Sequence, residues 1–287
     1  MIDTNRLVKQ LSHATDRVIR PPAGVTILIY HRVGGGTGGA VDLDPDVFER
    51  QLEYLSEHHT VVTLDEAVAH LTAGQIDGWA ASGAGAQRGA HAGPPARRSV
   101  VLTFDDGTSD FTDVVVPALA RHGLPATLYA ATSFIDDGDD FPWGAPPTSW
   151  AALRDALTTG LITIGSHTHS HWLLDRLAPA ALEADLDRSS ELITTCLGVA
   201  PVHFAYPKAI PGSPQAEIAV RRRFRTAALA GSRVNRPGHT DLHRLWRTPI
   251  QRSDGDDDFA AKAAGGLRLE GELRALVVRA RARGAQQ

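Results

Sequence analysis

Ser99-Val100-Val101-Leu102-Thr103-Phe104-Asp105-Asp106-Gly107 opens as a strand and closes on two adjacent carboxylates and a glycine. The apolar run is short, β-branched and lacks polar alternation, which is the pattern of a strand buried on both faces of a parallel sheet. Barrels and doubly wound sheets alike place their active sites at the C-terminal ends of such strands. A turn with a helix cap accounts for one of the two aspartates and leaves the other unexplained. Two carboxylates so close resist joint ionisation unless a cation neutralises one of them, so the pair points to a metal.

The flanking sequence repeats the same unit. Val25–Tyr30 reads as a buried strand, followed by a Gly-rich loop at 34–39 and helices over 45–57 and 65–73. Beyond Gly107 come a helix near 111–122, a strand at 125–131, a helix near 148–158, a strand at 161–165 and a helix over 179–197 closed by Gly198. Strands at 202–206, near 225–230 and near 245–250 complete the series. Apolar strands alternating with helices imply an α/β fold: a distorted, incomplete (β/α) barrel of about seven parallel strands, with a doubly wound open sheet as the alternative. An amphipathic helix over 3–18, with Leu7, Leu11, Ala14 and Val18 on its apolar face, makes 1–24 an N-terminal extension. The barrel domain spans 25–253. Residues 74–98, rich in Gly, Ala and Pro, read as a mobile insertion, and 254–287 as an Arg-rich helical tail.

Composition removes several classes of function. Lys+Arg 29 against Asp+Glu 33 gives a net charge of −4, which disfavours a nucleic-acid partner. The single cysteine, Cys196, excludes a disulfide framework and a cysteine-rich metal site. No apolar run is long enough to span a membrane and no export signal is visible, so a cytoplasmic protein is expected.

A second polar cluster, Gly165-Ser166-His167-Thr168-His169-Ser170-His171, also follows a strand. Thirteen histidines in 287 residues give about 0.6 pairs at i,i+4 by chance, so the His167/His171 spacing alone is weak. His239 and His243 form another such pair with no strand before them. Set beside Asp106, however, His167 and His171 complete a three-ligand metal site with open positions for water and substrate. Asp105, next to a ligand and itself free, is the natural general base. No Gly-x-Ser-x-Gly elbow occurs, so metal-assisted hydrolysis of an amide or ester fits best. His203-Phe204-Ala205-Tyr206-Pro207-Lys208 ends another strand and reads either as a Pro turn or as a substrate wall. In the second reading Tyr206 stacks on substrate and a backbone N–H beyond Pro207, at Lys208, faces the oxyanion. His31, after the first strand, is either a substrate contact or a structural histidine.

Thr103–Gly107, His167–His171 and Phe204–Pro207 resemble, in order and spacing, the motifs of the polysaccharide deacetylase family (the NodB-homology domain, carbohydrate esterase family 4). Ile29–Val33 and the Phe48…Leu55 segment are similar to the N-terminal part of one branch. The resemblance, over roughly residues 25 to 250, implies a distorted barrel and removal of N- or O-acetyl groups, N-acetyl first, from a GlcNAc-containing oligo- or polysaccharide. It also implies a divalent cation, commonly zinc, on Asp106, His167 and His171, with Asp105 as base. The chain departs from the pattern where Ala205 and Lys208 replace the family's Arg and Tyr, which removes the Arg that orients the base. The late Leu-x-His segment supplying the catalytic acid is not found, and His243 and Arg247 stand as substitutes. Two rivals follow: a degenerate sugar-binding module that keeps the fold, and a non-haem iron oxygenase, which also uses two His and one carboxylate.

Overall fold

Val25–Tyr30 (β1) is buried along its whole length, as a strand covered on both faces must be. The computed structural model describes residues 4–73 and 98–273. It begins with helix α1, Thr4–Val18. After β1, the short strands β2 (Arg32–Val33) and β3 (Asp42–Leu43) pair with each other around the glycine loop. Helix α2 (Pro45–His58), strand β4 (Thr60–Val61) and helix α3 (Leu64–Ala73) follow. The central units are β5 (Ser99–Phe104), a π-helical turn at Phe111–Val115 running into α4 (Val116–His122), β6 (Ala126–Ala130), α5 (Thr132–Asp137), α6 (Trp150–Thr158) and β7 (Ile162–Ser166). The last are α7 (Pro179–Leu197), β8 (His203–Ala205), α8 (Pro214–Arg223), β9 (Thr226–Ala230), β10 (Leu245–Pro249) and α9 (Asp256–Ala263).

Seven parallel strands close into a barrel in the order β1-β10-β9-β8-β7-β6-β5, and β5 returns to β1. The closing ladder runs from Val25↔Ser99 to Tyr30↔Phe104, which excludes the open doubly wound sheet. The ring is one strand short of the eight of a full barrel. β4 adds to β5 at Ser99 and Val100, ahead of the register where β6 joins at Leu102.

Period-two alternation sorts the strand residues. Leu28, Tyr30, Val100, Leu102 and Phe104 face outward into a core with Phe48, Leu52 and Leu55 of α2 and Leu119 of α4. Val25, Ile27, Val101, Tyr129, Ala205, Ala228 and Leu245 fill the interior, where α3 adds Leu64, Ala67, Val68 and Leu71 and plugs the end at which the strands begin. The opposite end is left for chemistry.

Four elements escape the sequence pattern. β2, β3 and α5 are too short to show a period, and the apolar side of α8 consists of Ala216, Ala219 and Val220, small residues amid charge. α1 corrects another expectation: Leu11 and Val18 are 52% and 84% exposed. Its buried side is polar instead. Lys9 Nζ donates to Asp254 and Asp258 at 2.7 and 2.8 Å, and Ser12 Oγ accepts from the Glu270 N–H. This network ties the N-terminal helix to the C-terminal segment. Apart from Arg98, the 74–98 insertion lies outside the described residues, as does the tail beyond 273. Among the described residues no helix is long and apolar enough to cross a membrane.

Candidate active site

Asp105 and Asp106 leave β5 at the barrel mouth and turn in different directions. The Asp105 N–H donates to the Tyr30 carbonyl, continuing the β1–β5 ladder by one residue. Asp106 then takes φ 75° and Gly107 φ 94°. A left-handed aspartate is strained, and such strain concentrates at functional positions. The φ of Gly107 is the conformation that favours glycine, and a Cβ there would also press within 3.1 Å of Ile135 Cδ1.

Asp106, His167 and His171 bring one ligating atom each within 4.8 Å of one another. Asp106 Oδ1 lies 3.2 Å from His171 Nε2 and 3.6 Å from His167 Nε2. His167 Nδ1 lies 2.8 Å from the Ala205 carbonyl oxygen. A carbonyl only accepts, so Nδ1 carries the proton and Nε2 keeps its lone pair toward Asp106. Burial, the largest influence, pushes His167 down to about 4 despite the neighbouring aspartates, so the imidazole is neutral at pH 7. Burial raises Asp106, but the His171 hydrogen bond and the neighbouring histidines outweigh it and bring the carboxyl to about 2. One carboxylate and two imidazole nitrogens form a donor set suited to zinc and related divalent ions.

Asp185, 8% exposed on α7, shapes the histidine loop: its carboxylate accepts from the His169 and Ser170 N–H groups at 3.1 and 2.9 Å. His169 is not part of the ligand cluster; its Nδ1 lies 3.0 Å from Thr132 Oγ1.

Asp105 points into the barrel, where Arg247 meets it. Arg247 Nη1 and Nη2 donate to Oδ1 and Oδ2 at 2.5 and 2.8 Å, and both side chains are sealed from solvent. The guanidinium also lies 5.0 Å from the centre of the Tyr129 ring. Burial alone would raise Asp105, yet Arg247 and His167 hold it below the ordinary carboxylate range, so it is ionised at neutral pH. Oδ2 is 3.8 Å from His167 Nε2, on the side of the ligand cluster. Arg247 thus takes the place of the Arg that Ala205 lacks. It is not an acid, because a guanidinium keeps its proton. Its signal was a lone charge at an inward position of the apolar strand Leu245-Trp246-Arg247, which demands a buried counterion.

His31 follows β1 at the same rim, beside β5 in register. Its charge acts on both Asp105 and Asp106, and its Nδ1 is buried with no hydrogen-bond partner. Ile29-Tyr30-His31 has the apolar-x-His form expected late in the chain; barrel closure brings it to the site from the opposite end of the sequence.

Two expected site residues lie elsewhere. His243 sits in the turn before β10, at the end of the barrel opposite Asp105. Its Nε2–H donates to the Phe224 carbonyl at 2.8 Å and Arg221 donates to its Nδ1 at 3.2 Å, so it cannot serve as the acid. Tyr206 is 1% exposed and packs among Phe204, Leu186 and Val220 in the outer core, because the strand alternation that turns Ala205 inward turns Tyr206 out. It offers no stacking surface. Pro207 is buried too, and the Lys208 side chain is exposed with φ 54°.

The sequence profile of the polysaccharide deacetylase family matches residues 92–221. The chain is 23% identical over 187 residues to the Bacillus subtilis (strain 168) protein YxkH, covering 65% of this chain and 57% of that one. It is 29% identical over 115 residues to the chitooligosaccharide deacetylase of Bradyrhizobium sp. (strain ANU 289), covering 39% and 47%. The chain therefore spans about half the length of these curated relatives. Among solved structures, the Streptococcus pyogenes deacetylase PplD in complex with acetate superposes with a TM-score of 0.68 at 20% identity, over 84% of this chain and 99% of that one. IcaB from Ammonifex degensii gives 0.67 at 24% identity, over 85% and 97%. The fold is shared with both. With the aspartate and histidine motifs in the family's order, it is residues 92–221 of this chain that match the polysaccharide deacetylase family.

Proposed function

We propose that this protein is a metal-dependent hydrolase that removes acetyl groups from a carbohydrate, N-acetyl ahead of O-acetyl, with zinc as the first choice of metal. The observation that carries the reading is the convergence of Asp106, His167 and His171 beside an ionised Asp105 at the open end of the barrel. The similarity to a chitooligosaccharide deacetylase supports a GlcNAc-containing substrate.

A divalent cation on Asp106, His167 and His171 would supply the positive charge that polarises the acetyl carbonyl and makes a water more acidic. Asp105 accepts the water's proton at a carboxylate oxygen, Oδ2 being the one nearer the cluster. Arg247 fixes the plane of that carboxylate and keeps it charged. His31 offers its unpartnered Nδ1 to protonate the leaving nitrogen, a step that amide cleavage needs more than ester cleavage. A base held in place and kept charged by Arg247 weakens the degenerate-module reading. The parallel barrel weakens the oxygenase reading, whose ligands normally sit on antiparallel sheet.

Acetate release tests the proposal. The zinc-loaded protein should liberate acetate from N-acetylchitooligosaccharides, and His31→Ala should reduce that far more than release from an O-acetyl sugar ester. No acetate from either substrate would refute it.

A further inference from the structure

The loop between α5 and α6 holds an exposed indole against a candidate metal ligand. Trp143 is 45% exposed, and its ring meets that of His171 in a T-shaped contact with centroids 5.9 Å apart. Scattered surface aromatics need no explanation, but this one is built in. Phe141 stacks beneath it at 4.9 Å and an interplanar angle of 23°, and Phe134 stacks on Phe141 at 4.3 Å. Phe141 is itself 1% exposed and packs with Ala131 and Ala145. Hydrogen bonds from Phe141 N to Ala145 O and from Gly144 N to Phe141 O, at 2.8 and 2.7 Å, close the turn that carries the indole.

The loop is also sewn to the aspartate loop. Thr148 N donates to Gly107 O and Ser109 N to Pro146 O, both at 2.9 Å, and the Thr112 and Thr148 hydroxyls meet at 2.9 Å. The indole therefore has a fixed position relative to Asp106 on one side and His171 on the other. An indole face is electron-rich and attracts polarised C–H groups. A pyranose with equatorial substituents, the gluco configuration, presents a flat patch of axial C–H groups that fits such a face. The wall expected from Tyr206 is absent, and Trp143 supplies an aromatic surface beside the same centre.

Resting on the deacetylase reading, we propose that Trp143 is the platform on which a gluco-configured ring of the substrate stacks, setting its acetyl group toward Asp106, His167 and His171. The test compares the parent with Trp143→Ala and Trp143→Phe. The readouts are kcat and KM on N-acetylchitopentaose and on 4-nitrophenyl acetate, which has no sugar ring, together with metal content. In Trp143→Ala the ratio of kcat/KM for pentamer over ester should fall on the order of tenfold, the upper range of an aromatic contact. The loss should lie mainly in KM, be largely restored by Trp143→Phe, and leave metal content intact. An unchanged ratio, or a loss that tracks lost metal, overturns the proposal. If the parent releases no acetate from the pentamer, the deacetylase reading fails on its own, and binding decides the platform. Pentamer should then shift the tryptophan emission of the parent and not that of Trp143→Phe, and identical responses overturn it.

Discussion

Replacing Arg247 by Met removes the only charge that hydrogen-bonds Asp105 among the described residues, while keeping much of the side-chain volume. The pair has side-chain exposures of 0% and 3%, with contacts at 2.5 and 2.8 Å, so water cannot substitute for the guanidinium. Breaking a buried pair from one side costs about 3–5 kcal/mol, because the remaining charge is stranded. At roughly 2–4 °C per kcal/mol for a domain of this size, the melting temperature should fall by about 6–20 °C. Turnover should also fall, since nothing then orients the base. Asp105→Asn in the Arg247→Met background removes the stranded charge and should recover much of the loss, with a coupling energy of at least about 2 kcal/mol. Thermal melts of the four proteins in this cycle, at equal metal loading, measure both quantities. If Arg247→Met melts within about 2 °C of the parent, or the double variant melts no higher than Arg247→Met, the buried pair does not act as described.

Asp105→Asn should retain metal while losing at least ~10²-fold in turnover, the scale of a lost general base, whereas Asp106→Asn should lose the metal; metal analysis with acetate release separates the two. His243→Ala should leave the ratio of N- to O-deacetylation unchanged, because His243 lies at the far end of the barrel; a selective fall in N-deacetylation would return it to the role of acid. Asp185→Ala strips the acceptor from the His169 and Ser170 N–H groups and should cost about 1–3 kcal/mol while weakening metal affinity several-fold, readable by competition with a chelator.

Much of the fold is legible because the strands are short, apolar and separated by helices capped with glycine: Val25–Tyr30, Ser99–Phe104 and Pro179–Leu197 fall where their patterns place them. Closure is less legible. The number of strands suggests a barrel, but the pairing of β1 with β5 joins residues 74 apart and rests on shape rather than on a local signal. The same non-locality hides parts of the site. Asp105, Asp106, His167 and His171 stand out through their spacing after strands. Arg247 and His31 gain meaning only when the ring brings both ends of the sequence to β5. Tyr206 misleads because one step along a strand reverses the face: its neighbour Ala205 enters the barrel and supplies the carbonyl that holds His167. His243 misleads because it precedes its strand, and the chemistry lies at the ends that follow. α1 looked amphipathic by its leucines, yet it docks through Lys9 and Ser12, whose partners lie near the other end of the chain.

The central claim is that Asp106, His167 and His171 hold a metal on which deacetylation depends. The most direct measurement strips the protein with a chelator and follows acetate release from N-acetylchitopentaose as zinc is returned. Activity should be absent in the stripped protein and should rise to a plateau at about one equivalent of zinc, the stoichiometry of a single three-ligand site. Acetate release that persists undiminished after complete removal of metal would contradict the account.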